Sequence, residues 1–345
     1  MTGSRAPENA RRDSGAAAHA RSVKKVGMIK VSAIIPVFNG AATLRQAIDS
    51  VLDQSSRALE LIVVDDGSTD STPAIIESYD GRVQQIRQAN AGPAAARNAG
   101  VRSARGEYLA FLDADDRWLP GMLDRAIVLL DSEPDCVMVY GNLLMIDSDG
   151  RSLGTSLIHG EYGHAPSMDE ILVRMWPIMP SAALIRRAAF DACGGFVEEF
   201  RGAGFEDAFL WLRLREQGHF RYVPEPLAAW RFSWFPQPLK VQPHGSDPAT
   251  FARLVRQYYG VDPSRLVAAR IRATRSILGY AGLRALRRGD RQSARRAFAG
   301  ALRLDPWRVR NIFRFVRTFL PLGLARLLSG RTGRSAEREI RESLR

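Results

Sequence analysis

The sequence predicts an α/β protein with a mostly parallel sheet flanked by helices and a helical C-terminal extension. From residue 31 onward, short apolar runs alternate with segments whose apolar residues recur at helical spacing. Two of these runs end in acidic clusters, and open parallel sheets bind their ligands beyond the carboxyl ends of their strands. Residues 251–304 are Arg-rich and favour helices throughout.

The strands and helices are predicted in chain order. Val31–Val37 is an unbroken apolar run, as in a strand buried on both faces, and Ala42–Gln54 carries Leu44, Ile48 and Val51 on one helical face. Further strands are predicted at Leu59–Asp65, Val83–Arg87, Tyr108–Leu112 and near Cys136–Tyr140. Further helices are predicted from Thr72 as N-cap to Tyr79, after Gly92-Pro93, over Gly121–Asp131 and over Ala208–Gln217.

Composition divides the chain into four predicted segments. They are a disordered basic N-terminus at 1–27, a main domain at 28–240, a helical region at 249–308 and a basic amphipathic tail at 309–345. Four prolines between Pro236 and Pro248 favour a domain boundary there. One tetratricopeptide-type hairpin is indicated by the spacing of Gly282, Gly289, Ala294, Phe298, Ala301 and Pro306. A single repeat must pack on the main domain or on a partner.

The net charge of +12 is unevenly distributed. Residues 262–345 hold 21 Arg and six acids, residues 1–30 hold seven basic and two acidic side chains, and the middle of the chain is therefore acidic. An acidic body argues against a nucleic-acid partner, whereas basic ends favour an anionic membrane surface. Two cysteines, without metal-ligand spacing, are expected to be buried in a protein of the reducing cytoplasm.

The tail combines apolar and basic residues. Asn311–Leu328 is too short and too rich in Arg to span a bilayer, which takes about 20 apolar residues. Two interpretations remain open at this stage. The segment forms short amphipathic pieces, broken at Pro321, that lie in a membrane interface, or it docks on the protein's own core.

Carboxylates crowd the ends of two predicted strands. Asp65-Asp66 ends one strand, and Asp113-Ala114-Asp115-Asp116 follows another. Neighbouring carboxylates repel each other and resist desolvation, so a divalent cation with a phosphate ligand is expected there, Mg²⁺ or Mn²⁺. The alternative is a solvated Asp-rich loop. The first strand is not followed by GxGxxG and the chain has no GxxxxGK[ST], which argues against dinucleotide and P-loop sites.

A metal-bound diphosphate points to a nucleotide-sugar, and four segments in order resemble the family 2 glycosyltransferases. They are Val31–Asn39, Glu60–Asp70, Asn90–Gly100 and Gly106–Asp116. The likeness is dense over residues 31–120 and thinner to about 232. It implies a GT-A fold, Rossmann-like, and transfer of a sugar from a nucleoside-diphosphate sugar with inversion.

The resemblance also implies roles for individual residues. Asp115, with Asp113, would hold the metal, Asp207 would be the general base, and Glu206 would orient the acceptor. The donor would be bound by Pro36, Asp65, Asp66, Arg97, Asn98, Asp113 and Ala114. The roles of Glu206 and Asp207 stay open to exchange, and both acids alternatively stabilise a helix N-terminus. Arg97 is alternatively a solvated helix charge.

The expected activity is therefore an inverting, metal-assisted glycosyltransferase, cytoplasmic and peripheral on the inner face of the cell membrane. Its acceptor would be a hydroxyl of a polysaccharide or of a lipid-linked glycan. Two alternatives remain. One is a transferase for a soluble or protein acceptor, and the other is a catalytically silent nucleotide-sugar-binding or scaffold subunit.

Overall fold

A computed structural model describes residues 30–319, except 56–58, 159–162, 174–175, 201–204, 232–247, 263, 265–267, 269–277, 280–281, 284, 287–288, 305 and 308. The strands are β1 Val31–Val37, β2 Leu59–Asp65, β3 Gln84–Arg87, β4 Tyr108–Phe111, β5 Arg117–Trp118, β6 Cys136–Ile146, β7 Ser152–Ser156, β8 Ala183–Arg186 and β9 His219–Arg231. The helices are α1 Leu44–Leu52, α2 Thr72–Glu77, α3 Pro93–Ser103, α4 Met122–Ser132, α5 Met168–Val173, α6 Arg187–Ala192, α7 Glu206–Gln217, α8 Pro248–Tyr259, α9 Arg291–Leu304 and α10 Val309–Arg317.

One sheet organises the described part of the chain. Its strand order is β3-β2-β1-β4-β8-β6-β9-β5, and β7 pairs with β6. Strands β1 to β4 are mutually parallel, β8 runs antiparallel between β4 and β6, and β9 is parallel to β6. The carboxyl ends of β1, β2, β4, β6 and β9 therefore lie at one edge, here called the active edge. The predicted α/β class is confirmed.

Strand β1 is buried on both faces because helices cover both sides of the sheet. Ile34 contributes to a core shared with α3, α7 and α8, whereas Ala33 and Ile35 contribute to a second core shared with α1 and α4. Because successive side chains of β1 enter the two cores in turn, nearly every residue of β1 is apolar. On the first side, α3 lies so close that a Cβ on Gly100 would stand 2.5 Å from Cγ2 of Ile34.

Several local expectations need correction. Ser71, not Thr72, is the N-cap of α2, and α7 begins at Glu206, two residues before the predicted start. Strand β6 continues six residues beyond the predicted end, to Ile146. The long strand β9 was not predicted, and its two prolines are unusual for a central strand. The sheet accommodates them through irregular pairing between β6 and β9.

The C-terminal helices pack on the sheet domain. Leu278 and Ala301 join Met145 and Leu153 in a small apolar cluster, so the helical region contacts the main body. Residues 1–27 and 320–345 lie outside the described residues, as does most of the proline-rich segment. Within the residues described, no helix is long and apolar enough to cross a membrane.

Candidate active site

The loops after β1 and β2 interlock at the active edge. The backbone N–H of Asn39 donates to Ser68 Oγ at 2.9 Å, and Asn39 Oδ1 accepts from the backbone N–H of Thr69 at 2.8 Å. The backbone N–H of Gly40 donates to Thr72 Oγ1 at 3.0 Å. These reciprocal bonds fix both loops against each other, so the carboxylates at the end of β2 have defined positions.

Asp65 and Asp66 are both buried at the end of β2. The Asp66 carboxylate accepts backbone N–H groups from Ala91 and Gly92, each at 2.9 Å, and the side-chain amide of Gln88 at 2.8 Å. Burial outweighs these bonds and raises the pKa of Asp66. Asp65 accepts the backbone N–H of Ser68 on Oδ1, and its Oδ2 lies 3.5 Å from the Arg87 guanidinium with no hydrogen-bond partner. Of the two carboxylates, Asp65 has an oxygen that accepts no hydrogen bond, although it forms an ion pair with Arg87.

The three carboxylates after β4 have separate environments. Asp116 is buried, accepting the Ser181 hydroxyl at 2.5 Å and the backbone N–H of Arg231 at 2.8 Å. Its burial, then the charges of Asp115 and Asp113, raise its pKa well above the usual range. Asp116 therefore anchors the loop instead of facing the active edge, whereas Asp115 is exposed.

Arg231, at the end of β9, holds this loop from behind. Its Nε donates to the Asp115 carbonyl at 2.8 Å, and one terminal nitrogen donates to the Ser148 carbonyl at 2.7 Å. The other terminal nitrogen donates to Gln46 Oε1 at 2.8 Å. One buried guanidinium thus ties the loop after β4 to the β6–β7 turn and to α1.

Arg97 joins the two acidic clusters that the sequence places about 90 residues apart. One terminal nitrogen lies 2.7 Å from Asp113 Oδ1 and the other lies 2.9 Å from Glu206 Oε1. Its side chain is only 4% exposed, so it is not a solvated helix charge, and that alternative is wrong. Burial alone would lower the pKa of Arg97, but Asp113 and Glu206 reverse this and raise it. The guanidinium stays charged between two carboxylates.

Glu206 and Asp207 are both buried in the first turn of α7. Glu206 binds Arg97 through Oε1 and accepts the backbone N–H of Phe205 at 3.0 Å through Oε2. Asp207 Oδ1 accepts the backbone N–H of Ala208 at 2.7 Å. Acidic side chains in the first turn also stabilise a helix through its dipole. Glu206 and Asp207 therefore stabilise α7 in addition to any chemical role.

Asp115 and Asp113 are the residues that fit a divalent cation. Although the Asp115 side chain reaches solvent at the active edge, desolvation by the protein packed around it, then the charge of Asp113, raise its pKa to about 6. A cation beside them would relieve that repulsion, and carboxylate oxygens are the ligands that Mg²⁺ and Mn²⁺ prefer. Asp115 fits the role of main ligand better than Asp113, because Asp113 is already paired with Arg97.

The other predicted donor residues lie near this edge with varied surroundings. Pro36 is buried near the end of β1, two residues past the last β1–β4 pair, where a strand tolerates proline. Ala114 is half-buried beside Gly40. The Asn98 amide donates to the Phe196 carbonyl at 2.8 Å and to Glu198, so it holds that loop. Donor contact by these residues stays a prediction.

Sequence reasoning missed Ser181 and Arg231. Ser181 is fully buried, accepts the backbone N–H of Asp113 at 3.2 Å and donates to Asp116. Each residue did carry a signal, because each is an isolated polar side chain in an apolar run. Buried polar groups are normally hydrogen-bonded, so such a residue marks a contact whose partner the sequence does not reveal.

A second group of potential metal ligands lies at the opposite edge of the sheet. It comprises Glu133, Cys136 and His219. Glu133 already binds His219 at 3.0 Å and lies 3.7 Å from the Arg221 guanidinium, while burial raises the pKa of the Cys136 thiol. These ion pairs explain why Glu133 and His219 lie together without a metal ion. Both cysteines are free and buried, as predicted.

Comparison with known proteins gives matches over the sheet domain. Glycosyl transferase family 2 matches residues 32–194. An uncharacterized glycosyltransferase of Rickettsia prowazekii is 32% identical over 190 residues, which cover 53% of this chain and 58% of that protein. The succinoglycan biosynthesis protein ExoO of Rhizobium meliloti is 42% identical over 125 residues, 36% of each protein. This chain thus spans little more than half the length of the Rickettsia relative.

A solved structure shares the fold. The crystal structure of S. aureus TarS 1–349 in complex with UDP-GlcNAc matches with a TM-score of 0.54 and 18% identity, covering 84% of this chain and 90% of that one. The predicted GT-A fold is confirmed by this likeness. Residues 32–194 match the glycosyl transferase family 2 model, which bears out the resemblance found in the sequence.

Proposed function

We propose that the chain is an inverting glycosyltransferase that moves a sugar from a nucleoside diphosphate to a hydroxyl of a polysaccharide or lipid-linked glycan. The observation that carries the proposal is the Arg97 bridge between Asp113 and Glu206. It brings the acidic loop after β4 beside the acidic first turn of α7, within or next to the matched family domain. The likeness to ExoO, named for succinoglycan biosynthesis, supports a polysaccharide acceptor.

The residues divide between donor and acceptor. We assign Asp65, whose Oδ2 at the end of β2 accepts no hydrogen bond, to the donor nucleoside, and the Asp113–Asp115 loop to the diphosphate. A Mg²⁺ or Mn²⁺ ion held by Asp115 and Asp113 would supply Lewis-acid stabilisation of the charge on the departing diphosphate. Arg97 holds Glu206 and Asp113 in a fixed relation, so both halves of the site keep one geometry.

Inversion takes one in-line displacement and one general base. We assign the base to Asp207, which would take the proton from the acceptor hydroxyl as its oxygen attacks the anomeric carbon. General base catalysis contributes about 10²- to 10⁴-fold to a rate. Glu206 neutralises Arg97 and accepts the backbone N–H of Phe205, so we assign it to holding the geometry of the site and not to taking the proton.

The proposal is tested by measuring nucleoside diphosphate release from a panel of nucleotide-sugars with Mn²⁺. UDP-GlcNAc is the first donor to try, because the TarS crystals contain it. Asp207→Asn and Asp115→Asn should each lower release at least about 100-fold. Asp135→Asn is the matched control, since Asp135 is an exposed aspartate at the opposite edge of the sheet. Unchanged release by both site variants, or no release from any donor, would refute the proposal.

A further inference from the structure

Exposed apolar side chains are concentrated on one short stretch near the C-terminus. Of the eight large apolar side chains that are exposed among the described residues, six lie within 307–319. Their exposed fractions run from 42% to 89%, and they are Trp307, Val309, Ile312, Phe313, Val316 and Phe319. Spacings of three and four residues place Val309, Ile312, Phe313 and Val316 on one face of α10, here called the outward face.

The opposite side of α10 is fixed to the protein. Asn311 and Thr318 are buried, and Phe315 packs against the apolar cluster that contains Phe298 of α9. The Arg295 guanidinium lies 4.2 Å from the Phe319 ring centroid. A surface helix normally turns its apolar stripe inward and its polar side to water. Helix α10 instead packs on the protein through buried polar side chains and Phe315 and leaves its outward face exposed. Residues 320–328 of the predicted amphipathic stretch lie outside the described residues, so both interpretations of that stretch stay predictions.

We propose that the outward face of α10 docks on the surface of an anionic lipid bilayer. Residues 307–319 contain four Arg, of which Arg317 is buried, and no Asp or Glu, and residues 262–345 contain 21 Arg against six acids. A short helix with an apolar face and basic neighbours suits the interfacial region, where aromatic and aliphatic side chains enter the head-group boundary. Basic side chains beside it are attracted to anionic head groups.

Charge also argues against a second copy of this chain on the outward face. A symmetric dimer would bring the same stretch of both copies together, and residues 307–319 contain no Asp or Glu to pair with the Arg of the other copy. Like charges held together are repelled, whereas anionic lipid neutralises them. Membrane docking does not rest on the proposed sugar transfer, since α10 holds none of the residues assigned to the donor or acceptor.

The test is flotation of the full chain with vesicles of phosphatidylcholine alone or with a third of phosphatidylglycerol. The wild-type protein should float with the anionic vesicles only, and less so in high salt. Phe313→Ser with Val316→Ser should weaken the partition at least about tenfold, because apolar area entering the interface is lost. Trp307→Ser, in the turn before α10, is an independent variant that leaves the helix intact. Val128→Ser removes an equally exposed apolar side chain from α4 and should change nothing.

Each remaining outcome decides against the proposal. Wild-type protein that stays unbound, or a double variant that floats as well as wild type, would overturn it. Sedimentation equilibrium that finds a dimer, dissolved by Phe313→Ser with Val316→Ser, would assign the outward face to a second copy. Donor hydrolysis without vesicles should be equal in all variants, which separates failure of docking from failure of the proposed activity.

Discussion

Replacing Arg97 by Met is the sharpest perturbation of the candidate site, because it removes the guanidinium and keeps most of the side-chain volume. Glu206 is only 3% exposed, so its carboxylate would be left buried without its cation, whereas Asp113, at 28%, keeps partial contact with solvent. Breaking a buried ion pair by removing one partner costs about 3–5 kcal/mol. We expect Arg97→Met to lower the free energy of unfolding by an amount in this range.

The measurement is urea unfolding at neutral pH, with a double-mutant cycle. Adding Glu206→Gln to Arg97→Met removes the stranded charge, so the double variant should recover about 1–3 kcal/mol relative to the sum of the single changes. Arg102→Met is the matched control, since Arg102 lies on the same helix in an exposed 3.5 Å pair and should cost less than about 1 kcal/mol. An Arg97→Met protein as stable as the Arg102→Met protein, or strictly additive changes, would refute the bridge.

Three further predictions concern buried contacts elsewhere in the sheet domain and behind the loop after β4. Burial of Glu60 would raise its pKa, but hydrogen bonds from Ser32 and Arg105 outweigh burial and lower the pKa. The ionised Glu60 therefore stabilises the fold fully above its pKa in the unfolded chain, and this stabilisation is lost as pH falls through its pKa in the folded protein. Glu60→Gln should cost about 1–2 kcal/mol at pH 7 and progressively less below pH 4 in urea titrations. A lysine at position 231 cannot donate to the Asp115 carbonyl, the Ser148 carbonyl and Gln46 together, so the loop that carries Asp115 loses its support. Arg231→Lys should therefore raise the Mn²⁺ concentration that gives half-maximal donor hydrolysis. Gly100→Ala should lower the melting temperature despite better helix propensity, because a Cβ there overpacks Ile34 at a cost of about 1–3 kcal/mol.

Local pattern predicted the first half of the sheet well. Strands β1 and β2 begin and end where expected, because continuous buried runs stop at polar loops or at paired aspartates. Helix α3 begins at Pro93 after Gly92, as predicted, since proline suits a first helical position. These features depend on neighbouring residues alone, which is why one sequence suffices to find them.

Features that depend on distant partners were not predictable. Arg97 pairs with Glu206 across 109 positions, and nothing near Arg97 distinguishes a buried bridge from a solvated charge. The proline-containing strand β9 depends on its irregular pairing with β6, and it carries Arg231 to the loop after β4. The same holds for α10. The spacing of its apolar residues predicts an amphipathic helix, but it does not predict whether the apolar face is turned toward the protein or toward solvent.

The central claim is that the loop after β4 and the first turn of α7 form one transfer site. Its most direct test compares donor affinity with turnover in Asp207→Asn, with the Kd taken from thermal stabilisation by the donor that wild-type protein hydrolyses. The account predicts a donor Kd within about twofold of wild type and a kcat lowered about 10²- to 10⁴-fold. A variant that keeps wild-type kcat would contradict it, because Asp207 would then take no part in the reaction.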